Sequence, residues 1–465
     1  MTPLTSEIAS GARGAAELLR ARRSNPVLLS PSRTVPVPAS EFALPPVAER
    51  FCRYARVYTT SDFDSAAVPT TERQKDLGLL LVNELRAIGA TSVEMDDEGY
   101  VYATLPSPLA PEAAARLPAL GLCAHMDTSP DAPGENVTPL IHPDYNGGRI
   151  ELPGAPEVDL SPATSPPLAD AIGHDLITSD GTTLLGSDDK AGVAVLVQLA
   201  ADLVASEADA VARGEGPAPR PTIQLLFTPD EEVGRGTDHL DLERWGAEVA
   251  YTLDGSGVDS LNVETFNAAE AIVTFHGVGV HPGYARGILV NALRVAADFI
   301  ASCPAHEAPE TTDGRGGYLH PHTASGDVVR AEVRVLLRDF DGSGMDAKRS
   351  LVRELASGAA QRHPGSRAEV DIRESYRNML AYIEDVDPRA VSVAQEAARE
   401  MGMDLALEPV RGGTDGARLS EKGVPTPNVF TGGHEFHSVR EWNTVQNLER
   451  SLAYTHALVR AWGRQ

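Results

Sequence analysis

The sequence predicts an α/β protein in which a mixed central sheet, flanked by helices, is interrupted by a smaller α+β domain. Three observations carry this prediction. Apolar runs of strand length alternate with helical patterns as far as about residue 265, as expected when strands and helices form packed layers. Between about residues 266 and 380 the predicted strands have one exposed face. The strand–helix alternation then resumes up to the C-terminus.

The composition fits folded domains in the cytoplasm. With 465 residues, 42% of them hydrophobic and only 5% aromatic, the chain can build a sizeable core made mostly of Ala, Val, Leu and Ile. The net charge of −26 argues against nucleic acid and against an anionic membrane surface as partners. No apolar stretch approaches the roughly 18 residues of a membrane helix. Three scattered cysteines exclude a disulfide framework and a cysteine zinc site.

Residues 1–45 differ from the rest of the chain. They hold five arginines and three glutamates in an otherwise acidic protein, and serine and proline accumulate from Ser24 to Pro46. We expect a flexible N-terminal extension with one short helix around residues 15–22. A transit peptide is the alternative, because such segments are rich in Arg and Ser and poor in acids, whereas a secretory signal would need an apolar core that residues 1–24 lack.

The predicted domains are 46–265 and 381–465 for the two parts of the large domain, and 266–380 for the insertion. Thr71 and Gln74 fit a capping box at the start of a helix that Gly89 ends. Residues 128–185 form a long irregular stretch of a kind that is usually functional. Helices are predicted at 71–87, 191–203, 288–302, 346–361, 390–401 and 448–462. Strands are predicted at 93–95, 100–104, 120–124, 223–227, 249–253, 271–275, 328–336, 368–372, 405–410 and 429–430.

Five distant segments place a carboxylate or an imidazole where an apolar run stops. Nitrogen and oxygen ligands of this kind, with one carboxylate shared and one spare for acid–base work, can build two neighbouring zinc sites. Ligand residues at strand ends are also typical of α/β sheets. The segments are His125-Met126-Asp127, Asp188-Asp189-Lys190, Glu231-Glu232, Asp254 and His437.

Each segment alone also has an ordinary structural explanation. Asp188 at a strand-to-helix junction can simply cap the helix, since a helix N-terminus favours anions. Of Glu231 and Glu232, one suits a metal ligand and the other a proton shuttle, because consecutive buried acids are costly without a cation. His434 competes with His437, and spacing alone does not choose between them. The set as a whole, not any one member, indicates a metal site.

The motifs in order resemble peptidase T, the tripeptide aminopeptidase of the superfamily that also holds carboxypeptidase G and aminoacylase. The resemblance runs from about residue 46 to the C-terminus, and residues 434–438 depart from the aromatic-rich turn usual in the family. The motifs are A-H-M-D-T-S-P-D (124–131), D-G-T-T-L-L-G-S-D-D-K-A-G (180–192), F-T-P-D-E-E-V-G (227–234), Y-T-L-D-G (251–255), H-P-G (281–283), R-G-G-T-D-G-A (411–417) and T-G-G-x-x-x-H (431–437).

The resemblance implies two Zn²⁺ per chain and a role for each site residue. Asp188 would bridge the two ions and be followed by a cis peptide bond. The other metal ligands would be His125 and Asp254 for one ion, and Glu232 and His437 for the other. Asp127 would orient His125, and Glu231 would act as general base and then acid. The inserted domain would be a lid and dimerisation domain, and the residues that reach the substrate would be His281, Asn291, Arg338 and Arg411.

The implied reaction is removal of the N-terminal residue from a small peptide, with a tripeptide preferred. Water activated by the two ions would attack the peptide carbonyl. Arginine suits the substrate's C-terminal carboxylate, because its planar fork matches two oxygens. The alternatives are a related carboxypeptidase or N-acyl amino acid amidohydrolase, and, in another class, a non-enzymatic binding protein. The complete ligand set and the presence of Glu231 argue against the binding protein.

Overall fold

Three β-sheets organise residues 36–465, the part of the chain that the computed structural model describes. The predicted short helix at residues 15–22 and the transit-peptide alternative lie outside the described residues. The last ten residues of the predicted extension pack on the large domain. Val37–Pro38 pairs antiparallel with Leu140–His142, and Ala39 is buried.

The largest sheet has eight strands and forms the centre of the large domain. The order across it is Ala406–Val410, Ser260–Thr265, Asn428–Phe430, Val249–Gly255, Leu120–His125, Ile223–Thr228, Val101–Leu105 and Thr91–Met95. Three central neighbours, Val249–Gly255, Leu120–His125 and Ile223–Thr228, run parallel, whereas the hairpin at one edge is antiparallel. The sheet is therefore mixed, and its parallel centre brings three strand ends to one edge.

Helices cover both faces of this sheet. The α-helices of the described residues are Pro46–Ala55, Gln74–Ile88, Pro111–Ala114, Ser187–Ala212, Leu242–Trp245, Ala292–Ser302, Gly342–Arg362, Met379–Val386, Arg389–Glu400, Asp415–Glu421 and Val445–Trp462. The main core lies on one face, and a smaller cluster around Trp245 lies on the other. Within residues 36–465, Ser187–Ala212 alone combines the length and apolar composition needed to cross a membrane, and 56% of its most apolar window is buried.

The second sheet belongs to the insertion and is wholly antiparallel. Its strand order is Tyr318–Gly326, Arg330–Asp339, Asn267–His276 and Arg367–Tyr376. Helices Ala292–Ser302 and Gly342–Arg362 pack on one of its faces and enclose a separate core. The strand Tyr318–Gly326 was not predicted, because it is a polar edge strand that contains a proline and ends in glycine.

The stretch 128–185, predicted as irregular, contains two short strands. Leu140–His142 and Leu176–Thr178 join Val37–Pro38 and Trp442–Thr444 in a small antiparallel sheet over a core of its own. Short 3₁₀ turns occur at Ala39–Glu41, Pro166–Ala169, Glu231–Val233, Pro282–Tyr284, Ala305–Glu307 and Pro309–Thr311.

The predicted capping box of the second helix does not form. The helix begins at Gln74, and its N-cap, Arg73, provides no side-chain hydrogen bond. Gln74 is buried, and its Nε2 donates to Asp230 Oδ1 at 2.6 Å. A tertiary partner therefore replaces the local cap, while Gly89 ends the helix at φ +106° as predicted.

Candidate metal centre and catalytic cleft

The predicted ligands meet at the carboxyl edge of the central sheet. His125 ends its strand and pairs in register with Thr228, the last residue of the neighbouring strand. Glu231 and Glu232 follow Thr228 within one short turn. Asp254 lies near the end of the strand on the other side of His125. Parallel strands thus carry these side chains to the same edge.

Two groups of three side chains share Asp188. In the first, His125 Nε2 lies 2.9 Å from Asp188 Oδ1 and 3.5 Å from Asp254 Oδ1. In the second, His437 Nε2 lies 3.3 Å from Asp188 Oδ2 and 2.8 Å from Glu232 Oε2. Within each group the potential ligand atoms lie within 4.8 Å of one another. Asp188 presents one oxygen to each group, so the five residues form two adjoining sites.

The backbone around Asp188 departs from the helix in which it lies. Asp188 and Asp189 have non-helical dihedral angles, and the peptide bond between them is cis, as the resemblance implies. The buried Asp189 carboxylate accepts hydrogen bonds from the backbone N–H groups of His125, at 3.2 Å, and Gly192, at 3.1 Å. This carboxylate joins the start of the helix to the end of the strand that carries His125.

Asp127 connects the imidazole of His125 with the Glu231-Glu232 turn. It is fully buried, and its Oδ1 lies 3.4 Å from His125 Nδ1. Its two oxygens also accept from the backbone N–H groups of Glu231, at 3.0 Å, and Glu232, at 3.2 Å. His125 Nδ1 lies closer still, at 3.1 Å, to the backbone carbonyl of Asp127, so this residue constrains one imidazole through its carbonyl and carboxylate, and the glutamate loop through its carboxylate.

His434 and His437 have separate environments, although their spacing left the choice open. The ring of His434 stacks on Trp442 at a centroid distance of 4.3 Å, and burial lowers its pKa to about 4. His437 turns toward Asp188 and Glu232 instead. Gly433 allows the loop this approach, because a Cβ there would lie 2.5 Å from Ser187 Oγ.

Burial and mutual repulsion raise the pKa of three acids of this site, whereas hydrogen bonds to His125 and His437 lower the pKa of Asp188. Burial, reinforced by Asp188, raises the pKa of Glu232 to about 8 and that of Asp254 to about 6. Burial also raises the pKa of Glu231 well above its usual value. Hydrogen bonds to Asp188 and Glu232 raise the pKa of His437 to about 11. Such a group of acids is stabilised by added positive charge.

Glu441 is a supporting residue that sequence reasoning missed. It is buried, and its Oε2 accepts from the backbone N–H groups of Leu185, at 2.7 Å, and Gly186, at 2.8 Å. Its Oε1 accepts from the N–H of Asp188 at 3.0 Å. Its one sequence signal is an acid at the entry to a buried strand, four residues after His437.

Asp415 was also missed as a site residue, although its motif was noted. It is buried beside the cleft, and its Oδ2 accepts from Thr228 Oγ1 at 2.7 Å. Burial raises its pKa to about 7. A Cβ at Gly236 would lie 2.2 Å from Asp415 Oδ1, so the chain leaves room for this carboxylate.

A cavity of about 460 Å³ is lined both by residues of the candidate metal centre and by residues of the inserted domain. Glu231, Glu232 and His437 line one end of it. Its other walls include five residues from the insertion and from the segment 411–418, namely Arg338, Arg411, Arg418, Tyr318 and Tyr376. The cavity therefore combines acids and imidazole with arginines and aromatic rings, and its size is that of a small-molecule site.

The four predicted substrate-binding residues have different positions. Arg338 and Arg411 line the cavity, whereas His281 and Asn291 do not. His281 is exposed, and its Nδ1 accepts from the N–H of Gly283. Asn291 caps the helix Ala292–Ser302 by accepting from Leu293 N. Of these four residues, therefore, only the two arginines share the cavity with Glu231, Glu232 and His437.

Comparisons with known proteins agree on one family. The profile of peptidase family M20/M25/M40 matches residues 184–461. Peptidase T of Shouchella clausii is 44% identical over 406 residues, which cover 87% of this chain and 95% of that protein. Peptidase T of Geobacillus kaustophilus is 41% identical over 403 residues, with coverages of 87% and 95%. The resemblance noted in the motifs is thereby confirmed.

Solved structures show the same fold. A tripeptidase from Staphylococcus aureus has a TM-score of 0.68 at 20% identity, and an aminopeptidase from Bacillus cereus has a TM-score of 0.65 at 23% identity. Each comparison covers 90% of this chain and 98% of the other. A Bacillus subtilis protein described as a dinuclear metal-binding peptidase has a TM-score of 0.58 at 15% identity, with the same coverages. The predicted fold class is confirmed, and the chain belongs to peptidase family M20/M25/M40, among the relatives named peptidase T.

Proposed function

We propose that this chain is a metallo-aminopeptidase that releases the N-terminal residue from tripeptides. One observation carries the proposal. Two ligand groups share Asp188, and Glu232 and His437 of the second group line a cavity together with Glu231 and with arginines of the inserted domain and of the segment 411–418. Relatives at 41–44% identity over most of their length are named peptidase T, which supports the same activity.

The residues present fit a pair of divalent cations. In the described part of the chain, the buried Oε1 of Glu232 has no hydrogen-bond partner. Imidazole and carboxylate ligands without thiolates are typical of catalytic zinc sites. We propose two Zn²⁺ per chain, one held by His125 and Asp254, the other by Glu232 and His437, with Asp188 shared. When bound, such ions supply a nucleophilic hydroxide at neutral pH and stabilise the developing oxyanion.

Glu231 is the residue placed to move the proton. It lines the cavity without belonging to either ligand group. Burial raises its pKa, which makes its carboxylate a stronger base than an exposed glutamate. It takes a proton from the attacking water and returns it to the leaving amine. Asp127 holds the backbone of Glu231 and the ring of His125 in a fixed relation.

The inserted domain and the segment that starts at Arg411 bind the C-terminal end of the substrate. A cationic wall is suited to the C-terminal carboxylate of a short peptide. A cleft that holds a peptide at the scissile bond and at its C-terminus limits the length it accepts. We keep Arg338 and Arg411 as proposed substrate contacts. The substrate contacts of His281 and Asn291 stay predictions from the resemblance.

We also propose an oligomeric state and a compartment. The resemblance implies a homodimer through the inserted domain, and the cysteine usage implies the cytoplasm. A net charge of −26 disfavours nucleic acid and anionic membranes as partners. Sedimentation analysis of the purified protein would establish the oligomeric state.

Peptide hydrolysis and metal analysis together test the proposal. Purified enzyme is supplied with di-, tri- and tetrapeptides, with free and acetylated N-termini, and the products are identified by mass spectrometry. We expect loss of the N-terminal residue, fastest from tripeptides with a free amine, and about two zinc ions per chain. Release of the C-terminal residue first, or equal cleavage of acetylated peptides, would instead indicate a carboxypeptidase or an acyl amidohydrolase. Protein without metal and without cleavage would indicate a binding protein.

A further inference from the structure

We propose that Arg418 is a specificity-determining residue that, together with Arg338, binds the C-terminal carboxylate of the substrate across the ring of Tyr376. Arg338 lies on a strand of the inserted domain, and Arg418 lies on the short helix Asp415–Glu421 of the large domain. The inference deepens the proposed function, because it names the residue pair and the chemical group that they recognise.

Both guanidinium groups lie on one aromatic ring in the cavity wall. The Cζ of Arg338 lies 5.6 Å from the ring centroid of Tyr376, and that of Arg418 lies 5.8 Å from it. All three residues line the cavity that contains Glu231 and His437. Gly413 allows the ring its position, because a Cβ there would lie 2.9 Å from Tyr376 Cε1. The ring thus holds two cations from two domains on the same wall.

The two arginines differ in their carboxylate partners, and neither has a close, bidentate one. Among the described residues, Arg338 has no carboxylate within 4.0 Å, and its Nη1 donates to the carbonyls of Ala269 and Leu337. Arg418 donates from Nη1 to the carbonyl of Ser375 at 2.7 Å, and its nearest carboxylate, on Glu421, lies 3.6 Å away. Both arginines reach backbone carbonyls through Nη1, and Arg338 also hydrogen-bonds the Tyr376 side chain.

The two like charges beside one ring repel each other, and an anion between or beside them would offset this repulsion. A carboxylate matches this arrangement, since an arginine presents two parallel donors to two oxygens. The negative face of the aromatic ring attracts both guanidinium groups and so favours their positions beside it. The geometry therefore favours a peptide with a free C-terminal carboxylate over its amide.

Arg411 has a different role in the same wall. Its Nη1 donates to the carbonyls of Gly314 and Gly316, and its Nη2 donates to Thr312 Oγ1, each at 2.8 Å. Most of its donors are thus used to hold the loop of the inserted domain against the large domain. Arg411 adds positive charge to the cavity, whereas Arg418, among the described residues, makes one hydrogen bond, from Nη1 to the Ser375 carbonyl.

The test compares a tripeptide with its C-terminal amide. The kcat/KM is measured for Ala-Gly-Gly and for Ala-Gly-Gly-amide, with wild-type enzyme and the variant Arg418→Gln. Glutamine keeps an amide donor for the Ser375 carbonyl but removes the charge. We expect kcat/KM for the free acid to fall by about 10- to 100-fold, the range for one charge-assisted hydrogen bond, mainly through KM. For the amide we expect a change of less than about 3-fold.

Two further variants complete the design. Arg418→Lys keeps the charge and should recover several-fold of the lost activity on the free acid. Arg450→Gln is the control, because Arg450 pairs with Asp259 outside the cavity and has a similarly exposed side chain, 44% against 34%. It should leave both substrates unchanged. Thermal melting of each variant reports folding independently of activity.

The outcomes separate this inference from the proposed function. Equal losses on acid and amide in Arg418→Gln would overturn the role of Arg418, as would unchanged activity on both. A wild-type enzyme that removes the N-terminal residue from neither substrate would instead refute the aminopeptidase assignment. If wild type cleaves both, but acid and amide equally well, the carboxylate is not recognised and the inference is wrong.

Discussion

Replacement of Glu441 by glutamine should weaken metal binding, although Glu441 is not a proposed ligand. Its carboxylate collects three backbone N–H groups, two on Oε2 from Leu185 and Gly186, and one on Oε1 from Asp188. These bonds determine where the Asp188 backbone lies and therefore where its two oxygens point. Glu441 lies four residues after His437. One segment therefore supplies the proposed ligand His437 and also positions Asp188, the proposed shared ligand.

The size of the effect follows from the bonds that glutamine cannot make. The glutamine amide has one oxygen, so it can take the place of Oε2 or of Oε1 but not of both. Its NH₂ group is a donor and would then face the backbone N–H groups that the other oxygen accepted from. A hydrogen bond to a charged group contributes about 1.5–3 kcal/mol, and a buried unpaired donor costs a similar amount. Burial raises the pKa of Glu441 to about 7, so the effect is measured at pH 8, where we expect Glu441→Gln to lower the free energy of unfolding of metal-free protein by about 2–4 kcal/mol. Loss of such a supporting contact typically weakens metal affinity by about 10- to 100-fold.

Two measurements and one control make this prediction refutable. Urea denaturation of metal-free protein gives the stability, and competition with a chelator gives the Zn²⁺ affinity. The control is Tyr454→Phe, which removes a buried hydrogen bond to the Ala394 carbonyl in the helical layer. It should lower stability by about 1 kcal/mol and leave the Zn²⁺ affinity unchanged. If Glu441→Gln loses stability but binds Zn²⁺ as wild type does, Glu441 only supports the fold and the reasoning fails.

Three other predictions concern single side chains. Glu231→Ala should retain both metal ions yet lose several decades of kcat, and retained activity would exclude Glu231 as the base. His437→Ala should lower the metal content measured by elemental analysis, whereas His434→Ala should lower only stability, because it removes the ring stacked on Trp442. Burial lowers the pKa of His142 from 6.5 to about 4, so the unfolded chain binds more protons between these values. Stability should be complete above pH 6.5 and fall by about 3 kcal/mol as the pH drops to about 4, and His142→Gln should remove this slope in denaturation curves taken at several pH values.

Strands that end in a functional residue were predictable because their pattern is local. The run before His125 and the run before Glu231 are short, apolar and followed by polar residues, and both form central strands. Periodicity likewise predicted the long helices. The edge strand Tyr318–Gly326 was missed because an edge strand needs little apolar surface. Its strand structure depends on backbone pairing with Arg330–Asp339, which the local sequence pattern does not reveal.

The supporting residues of the site were not predictable from spacing. Gln74 fits a local helix cap, but its side chain serves the distant Asp230 carboxylate. Glu441 and Arg418 appear in the sequence as ordinary charged residues. Their roles depend on backbone groups and a ring that lie far away in the chain. No local rule connects a side chain with a partner brought near only by the packed sheet.

By itself, the sequence determined the fold class, the family and the set of acids and imidazoles that meet at the sheet edge, because periodicity and motif order are properties of neighbouring residues. Spacing alone did not separate His437 from His434, and the tertiary structure shows why the resemblance names His437: its ring faces Asp188, while that of His434 stacks on Trp442. Only the tertiary structure decided that Arg418 shares a ring with Arg338. Such choices depend on burial and on distances between remote segments, and these exist only once the sheet, its helices and the inserted domain have packed together.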